Sequence, residues 1–182
     1  MFKTLALATL MAGSAVASAN AALVYPTSVV AADQNGTPVS GARAVTANAL
    51  GATDGAFYSL GIGGSITLDF GQSVGGTGKI TEVTYNPTGY LEYARLFTSA
   101  DGTTWTPLAT AFNGLAVAGE EITATSPFRY LKLVDASPSY RGRDGFDLDS
   151  VGFTPIAAVP LPAAGLALMA GLGGLASLRR RR

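Results

Sequence analysis

Short runs of alternating polar and apolar residues fill the middle of the chain, and they restrict it to one class of fold. Ser65-Ile66-Thr67-Leu68-Asp69-Phe70 alternates throughout, and Arg129-Tyr130-Leu131-Lys132-Leu133-Val134 sets Leu131 and Leu133 on one face. Successive side chains of a strand point to opposite sides, so a period of two gives a ribbon with one buried face. Lys79–Tyr85, Tyr93–Thr98, Thr104–Leu108, Glu121–Ala124 and Phe146–Phe153 are further strand candidates, punctuated by Gly, Asp, Asn and Pro. No long helical periodicity and no internal repeat is present. Many short strands joined by turns predict an all-β sandwich or barrel, not a parallel sheet with crossover helices. Within Leu96–Trp105, Asp101-Gly102 sits between two β-rich runs. This pair supplies the positive φ angles of a tight turn and predicts a hairpin. The Trp105 ring is expected to lie on the sheet as a staple, with a binding platform as the alternative.

Both ends of the chain are set apart from this grammar. Ala157 to Leu178 carries no charge. As a helix it would be about 33 Å long, close to the roughly 30 Å hydrocarbon core of a bilayer. The part after Pro162 alone spans about 24 Å and would tilt little or thin the membrane locally. Pro160 and Pro162 favour an extended approach to it. Arg179, Arg180, Arg181 and Arg182 then stay on the cytoplasmic side, and everything before the run lies outside the cytoplasm. A buried C-terminal core helix is the alternative, but the run has no polar face to meet water. At the other end Lys3 precedes an apolar stretch, Thr4–Val16, followed by the small residues Ala19-Asn20-Ala21. This is the layout of a secretory signal peptide cleaved by signal peptidase before Ala22. The resulting division is a signal peptide at 1–21, a β-sandwich domain at 22–153, a linker at 154–158 and a C-terminal segment at 159–182.

The order Val159-Pro160-Leu161-Pro162-Ala163, apolar helix and terminal arginine cluster resembles the VPLPA-CTERM variant of the PEP-CTERM sorting signals. The resemblance implies that a membrane-embedded exosortase-type transpeptidase recognises Val159 to Ala163 and removes the tail. It also implies a Gram-negative, exopolysaccharide-secreting host. The protein would be held transiently in the inner membrane and then released to the cell surface or extracellular matrix. A membrane anchor that is never cut is the competing expectation.

The stretch between the two ends, Ala22–Ala158, has 137 residues, one domain's worth. It holds seven basic and twelve acidic residues, a net charge of −5 that the neutral whole-chain total conceals. An acidic domain argues against nucleic acid, which requires a basic stripe. The chain has no cysteine, so no disulfide braces it in an oxidising compartment. Nor has it any histidine, which removes Ser-His-Asp and Cys-His catalysis and the usual zinc sites. What remains is carboxylate-pair chemistry or a hard metal bound through oxygen.

The carboxylates that invite such chemistry are Asp147 and Asp149, two apart on a strand and so on one face, with Asp144 in the preceding turn. Two like charges on one face repel unless a cation sits between them, and calcium is the natural filler. A salt-bridged or solvated acidic edge near Arg141 and Arg143 is the other reading, and a glycosidase pair is a third. Tyr85, Tyr90, Tyr93 and Tyr140, with Arg141 and Arg143, fall in or beside loops, where sugar and protein binders place such groups.

The hairpin pattern Ser99-x-Asp101-Gly102-x-x-Trp105 is similar to one in discoidin-like, galactose-binding-like jelly rolls. Asn48–Gly55, Gly63-Gly64-Ser65-Ile66-Thr67-Leu68-Asp69-Phe70 and Asp144–Val151 extend the resemblance over roughly Asn48 to Phe153. It implies a jelly-roll β-sandwich and a structural calcium joining the early loop to the closing strand, with Asp54, Asp147 and Asp149 as candidate ligands. Together these readings describe a secreted, non-catalytic module that binds extracellular polysaccharide. A purely structural biofilm protein and a secreted carbohydrate-active enzyme are the alternatives.

Overall fold

A computed structural model of the protein describes residues 22–83, 91–113, 119–139 and 143–156. The signal peptide and the sorting tail expected at 1–21 and 159–182 lie outside the described residues, as do Tyr85, Tyr90, Tyr140 and Arg141. Among the described residues no helix is long and apolar enough to cross a membrane. The strands are β1 (Ser28–Asp33), β2 (Tyr58–Ser59), β3 (Ser65–Glu82), β4 (Tyr93–Ser99), β5 (Thr106–Phe112), β6 (Glu120–Asp135) and β7 (Asp147–Pro155). Two 3-10 turns, Gly41–Ala44 and Thr46–Ala49, precede β2. Every ladder is antiparallel, in the order β2-β7-β3-β6-β4-β5 with β1 on β3.

One long ribbon, β3 paired with β6, organises the rest. In its first half Ser65–Asp69 pairs with Tyr130–Val134, flanked by β1 on the β3 side and by β4 and β5 on the β6 side. In its second half Val74–Ile80 pairs with Phe128–Glu120, and β7 has taken the place of β1 beside β3. Between the halves the register slips twice: Asp69 faces Tyr130, Val74 faces Phe128, and Gly76 faces Ala124. Extra residues sit first on β3 and then on β6, and such bulges bend and twist a strand pair. The ribbon folds over at this bend, and its two far ends meet again at the opposite pole. There Glu82 pairs with Leu148 of β7, and Asp135 accepts a hydrogen bond from the Phe146 amide nitrogen at 3.0 Å. The result is the sandwich-like all-β architecture that the alternation predicts.

The strands are fewer and longer than the sequence runs suggest. Ser65–Phe70 and the Lys79–Glu82 part of the expected Lys79–Tyr85 run belong to one 18-residue strand, and Glu121–Ala124 and Arg129–Val134 to one 16-residue strand. Gly71, Gly75, Gly76 and Pro127 read as breakers, but they occupy the bend, where a glycine or a missing N–H is tolerated. The closing strand also runs into the expected linker, with Thr154 opposite Gly75 and Pro155 opposite Val74.

Alternation does set the core. Ile66, Leu68, Leu131 and Leu133 are fully buried. At the bend Phe70, Phe128 and Phe153 meet edge to face, with ring centroids 4.9 to 6.1 Å apart. Gly78 lies under the Phe153 ring, and a Cβ there would collide with it. The β4–β5 hairpin forms, but with a wider turn than Asp-Gly predicts: Ala100–Trp105 separates the strands, and Gly102 (φ 77°) is at positive φ while Asp101 is not. The Asp101 carboxylate closes the turn instead. Its Oδ1 accepts from Ser99 Oγ at 3.0 Å and from the amides of Thr103 and Thr104 at 2.8 Å each. Trp105 is half-buried just before β5 and is not a member of the hydrophobic core cluster.

Candidate functional site

Ionisable side chains gather at the pole away from the bend, where β7 begins and β3 ends. Ser59 and Asp147 are partners in the β2–β7 ladder, and the Ser59 hydroxyl is hydrogen-bonded to Asp147 Oδ1. The same hydroxyl lies 3.1 Å from Asp144 Oδ2. Glu82, at the end of β3, and Glu92, just before β4, converge on Asp147 with carboxylate oxygens within 4.8 Å of one another. All three are buried: Glu82 is 4 % exposed, Glu92 1 % and Asp147 7 %. Burial drives the Asp147 carboxyl up to about 8, and the charges of Asp144 and Glu92 push the same way. The Ser59 hydrogen bond and the positive charge of Arg43 oppose them. Arg43, in the first 3-10 turn, forms an ion pair with Asp144 on the rim of this pole, its side chain 46 % exposed.

Asp54 and Asp149 do other work. Asp149 is buried and accepts from the amides of Asp54 at 3.2 Å and Gly55 at 2.9 Å. Burial raises its pKa, and those two N–H groups hold it down. Asp54 Oδ1 accepts from the amide of Ala56 at 2.8 Å, closing its own turn. Thr53 and Ser150 are hydroxyl-bonded at 2.7 Å beside them. This pair of aspartates clamps the early loop to the closing strand. Among the described residues the three carboxylates that converge are Glu82, Glu92 and Asp147, while Asp54 and Asp149 are bonded to the early loop. A solvated acidic edge does not describe them, because Asp147 and Asp149 are both buried. The ion-pair partner of Asp144 among the described residues is Arg43, supplied from 101 residues away in the chain.

Glu82 lies two residues beyond the buried Ile80, but the register shifts between Thr81 and Glu82 and Thr81 is buried as well, so period two gave only a weak signal for it. Glu92 and Arg43 had none, since each reaches the pole through loop geometry. Asp135 is a further unforeseen carboxylate: it accepts from Gly63 N at 2.9 Å, Ser137 Oγ at 2.6 Å and Phe146 N at 3.0 Å. It ties the end of β6 to two loops of this pole. Of the predicted loop aromatics, Tyr93 opens β4 half-buried.

No family profile matches the sequence, and no curated protein does. Solved structures do match in shape. A pectin-binding carbohydrate-binding module is 22 % identical, with a TM-score of 0.53 over 73 % of this chain and 95 % of that one. The first family 32 carbohydrate-binding module of a family 31 glycoside hydrolase from Clostridium perfringens is 14 % identical, with a TM-score of 0.52 over 72 % and 96 %. The family 32 module of AlyQ, solved with 4,5-unsaturated mannuronic acid, is 16 % identical, with a TM-score of 0.50 over 75 % and 99 %. The fold is thus the discoidin-like sandwich of these modules.

Proposed function

We propose that the protein is an exported, non-catalytic carbohydrate-binding module that acts at the cell surface or in the extracellular matrix. The observation that carries this reading is the shape match to such modules across 95 to 99 % of their length, so the likeness is to whole modules rather than to a shared fragment. Export by signal peptidase, a transient stay in the inner membrane of a Gram-negative cell and processing by an exosortase-type enzyme belong to the same reading and rest on the sequence. The non-catalytic part rests on burial: Glu82, Glu92 and Asp147 are at most 7 % exposed and offer no open face to a glycosidic bond.

The sugar would meet the rim of the carboxylate pole, where the exposed Arg43 guanidinium, held by the half-buried Asp144, offers donors to hydroxyls. A glycan array probed with the full chain in millimolar calcium tests this. At least one polysaccharide should bind, and Arg43→Ala should weaken it about tenfold, ~1.4 kcal/mol. A chain that binds none overturns the reading and favours a purely structural matrix role.

A structural calcium is the second part of the proposal. Glu82, Glu92 and Asp147 form a compact, buried, all-oxygen set that suits a hard cation, which would offset their mutual repulsion. Asp54 and Asp149 would brace the neighbouring loop. Chelation is then expected to lower the melting temperature, by roughly 3–5 °C per kcal/mol of lost binding for a domain of this size. An unchanged melting curve with chelator rejects the ion.

A further inference from the structure

The bend of the ribbon carries a recess that the carboxylate pole does not explain. It has a volume of about 290 Å³ and opens between the β4–β5 hairpin and the bulged part of β6. Two register faults build it. On β6, Thr125, Ser126 and Pro127 stand where β3 supplies Gly75 alone, since Val74 faces Phe128 and Gly76 faces Ala124. On β5, Leu108 is the extra residue, since Leu96 faces Ala109 and Phe97 faces Pro107. Bulges re-aim side chains, and here both faults line one concavity.

The lining has two characters. Leu108, Pro107, Pro127 and Phe128 give it an apolar floor, and hydroxyls such as those of Thr106 and Ser126 line its walls. Among the described residues the single charge in the lining is the Asp101 carboxylate, and neither Lys nor Arg lines the recess. Hydrogen bonds from the Thr104 and Thr103 amides, led by Thr104, hold Asp101 well below the usual carboxylate range. It therefore stays ionised, and its turn is fixed before any ligand arrives. Its Oδ2 accepts from Thr104 Oγ1 at 3.3 Å, and a carboxylate oxygen has a further lone pair to offer a ligand.

We propose that this recess is a second sugar-binding site, for one neutral or amino-sugar residue, at the pole opposite the Arg43 rim. The apolar floor takes the C–H face of a ring and the hydroxyls pair with its polar edge. Its volume is close to the lower bound for small-ligand sites, roughly 300 Å³, so it takes a single ring rather than a chain. A uronate is disfavoured, because its carboxylate would meet Asp101 with no guanidinium or ammonium to pair with. With the Arg43 rim, the protein would hold two glycan strands at once and cross-link them. The inference rests on the carbohydrate reading above for its ligand class and adds a separate place and selectivity.

The test is ligand-observed NMR on the full chain with dimers of glucosamine, N-acetylglucosamine and galacturonate. Ser126→Trp and Thr106→Trp, both at exposed positions, each plug the recess from a different wall. Either plug should abolish saturation transfer to the glucosamine and N-acetylglucosamine dimers, while binding lost in Arg43→Ala is left intact. Asp101→Asn, which keeps an oxygen acceptor for the turn, should weaken the glucosamine dimer about fivefold, ~1 kcal/mol, and the N-acetyl dimer less than twofold. Binding that neither plug alters, or plug-sensitive binding of galacturonate as tight as that of glucosamine, overturns the proposal while leaving the Arg43 rim standing. A wild-type chain that binds no carbohydrate at either pole removes both.

Discussion

Asp147→Asn is expected to stabilise the chelator-treated protein at pH 8 by several kcal/mol, on the order of 3–5, and to flatten its loss of stability with rising pH. The sign follows from where each state holds the proton. The folded-state pKa of Asp147 is raised to about 8 by burial, with Asp144 and Glu92 adding to it. The unfolded chain releases the same proton near pH 4. Between these values the folded state binds more protons, so stability is fully present below about pH 4 and is lost as pH climbs to 8. Asparagine keeps the shape and an acceptor for Ser59, but has no charge to strand. The groups facing Asp147 are Ser59 on β2, Asp144 and Arg43 on the rim, Glu82 on β3 and Glu92 before β4. Asp69 and Asp101 do not mask the effect. Their pKa values are lowered, chiefly by Arg129 and by the Thr104 amide, so their contributions vanish only in acid, below about pH 4. Urea titrations of both proteins at half-unit pH steps, in chelator, measure the window. A variant less stable than wild type at pH 8 would refute the assignment.

Phe128→Ala should cost about 3–5 kcal/mol in the same assay, the range for a large buried ring removed from a tight core. Phe128 is 2 % exposed and meets Phe153 at 4.9 Å and Phe70 at 5.7 Å between centroids. Each edge-to-face pair adds about 0.5–1.5 kcal/mol beyond the area buried. The ring also sits where β6 turns from one layer into the other, so the void would open at the bend itself. Phe128→Leu keeps most of the volume and should cost less than half as much. A Phe128→Ala variant within about 1 kcal/mol of wild type would mean that the bend is held by its backbone rather than by these rings.

How much of this was written in the sequence depends on which physical signal carried it. Period-two burial is local, so Leu131, Leu133, Ile66 and Leu68 were legible, as was the all-β class. Strand length was not, because a glycine in a bend and a glycine that ends a strand look alike until the register is known. Gly75 and Pro127 are the clearest instances, both inside continuous strands. The hairpin was legible from Asp101-Gly102, but its width was not, since side-chain bonds from Asp101 outweighed the two-residue turn preference. Asp147 and Asp149 were found by their spacing, yet they serve different partners. Their surroundings come from β2, from the end of β3 and from the loop at Asp54, which only tertiary pairing assembles. Arg43 and Glu92 mark the limit, because no local pattern distinguishes a loop charge that faces water from one that faces another loop.

The ribbon of β3 and β6 has a consequence for how the molecule comes apart. Each of these strands supplies hydrogen-bonded partners to both faces of the sandwich. Peeling one face away therefore strips the ladder that holds the other, and no half of the domain can melt while its counterpart survives. Loss of order should be all-or-none, with the edge strands β1, β2 and β5, each bonded to a single neighbouring strand among the described residues, free to fray ahead of it.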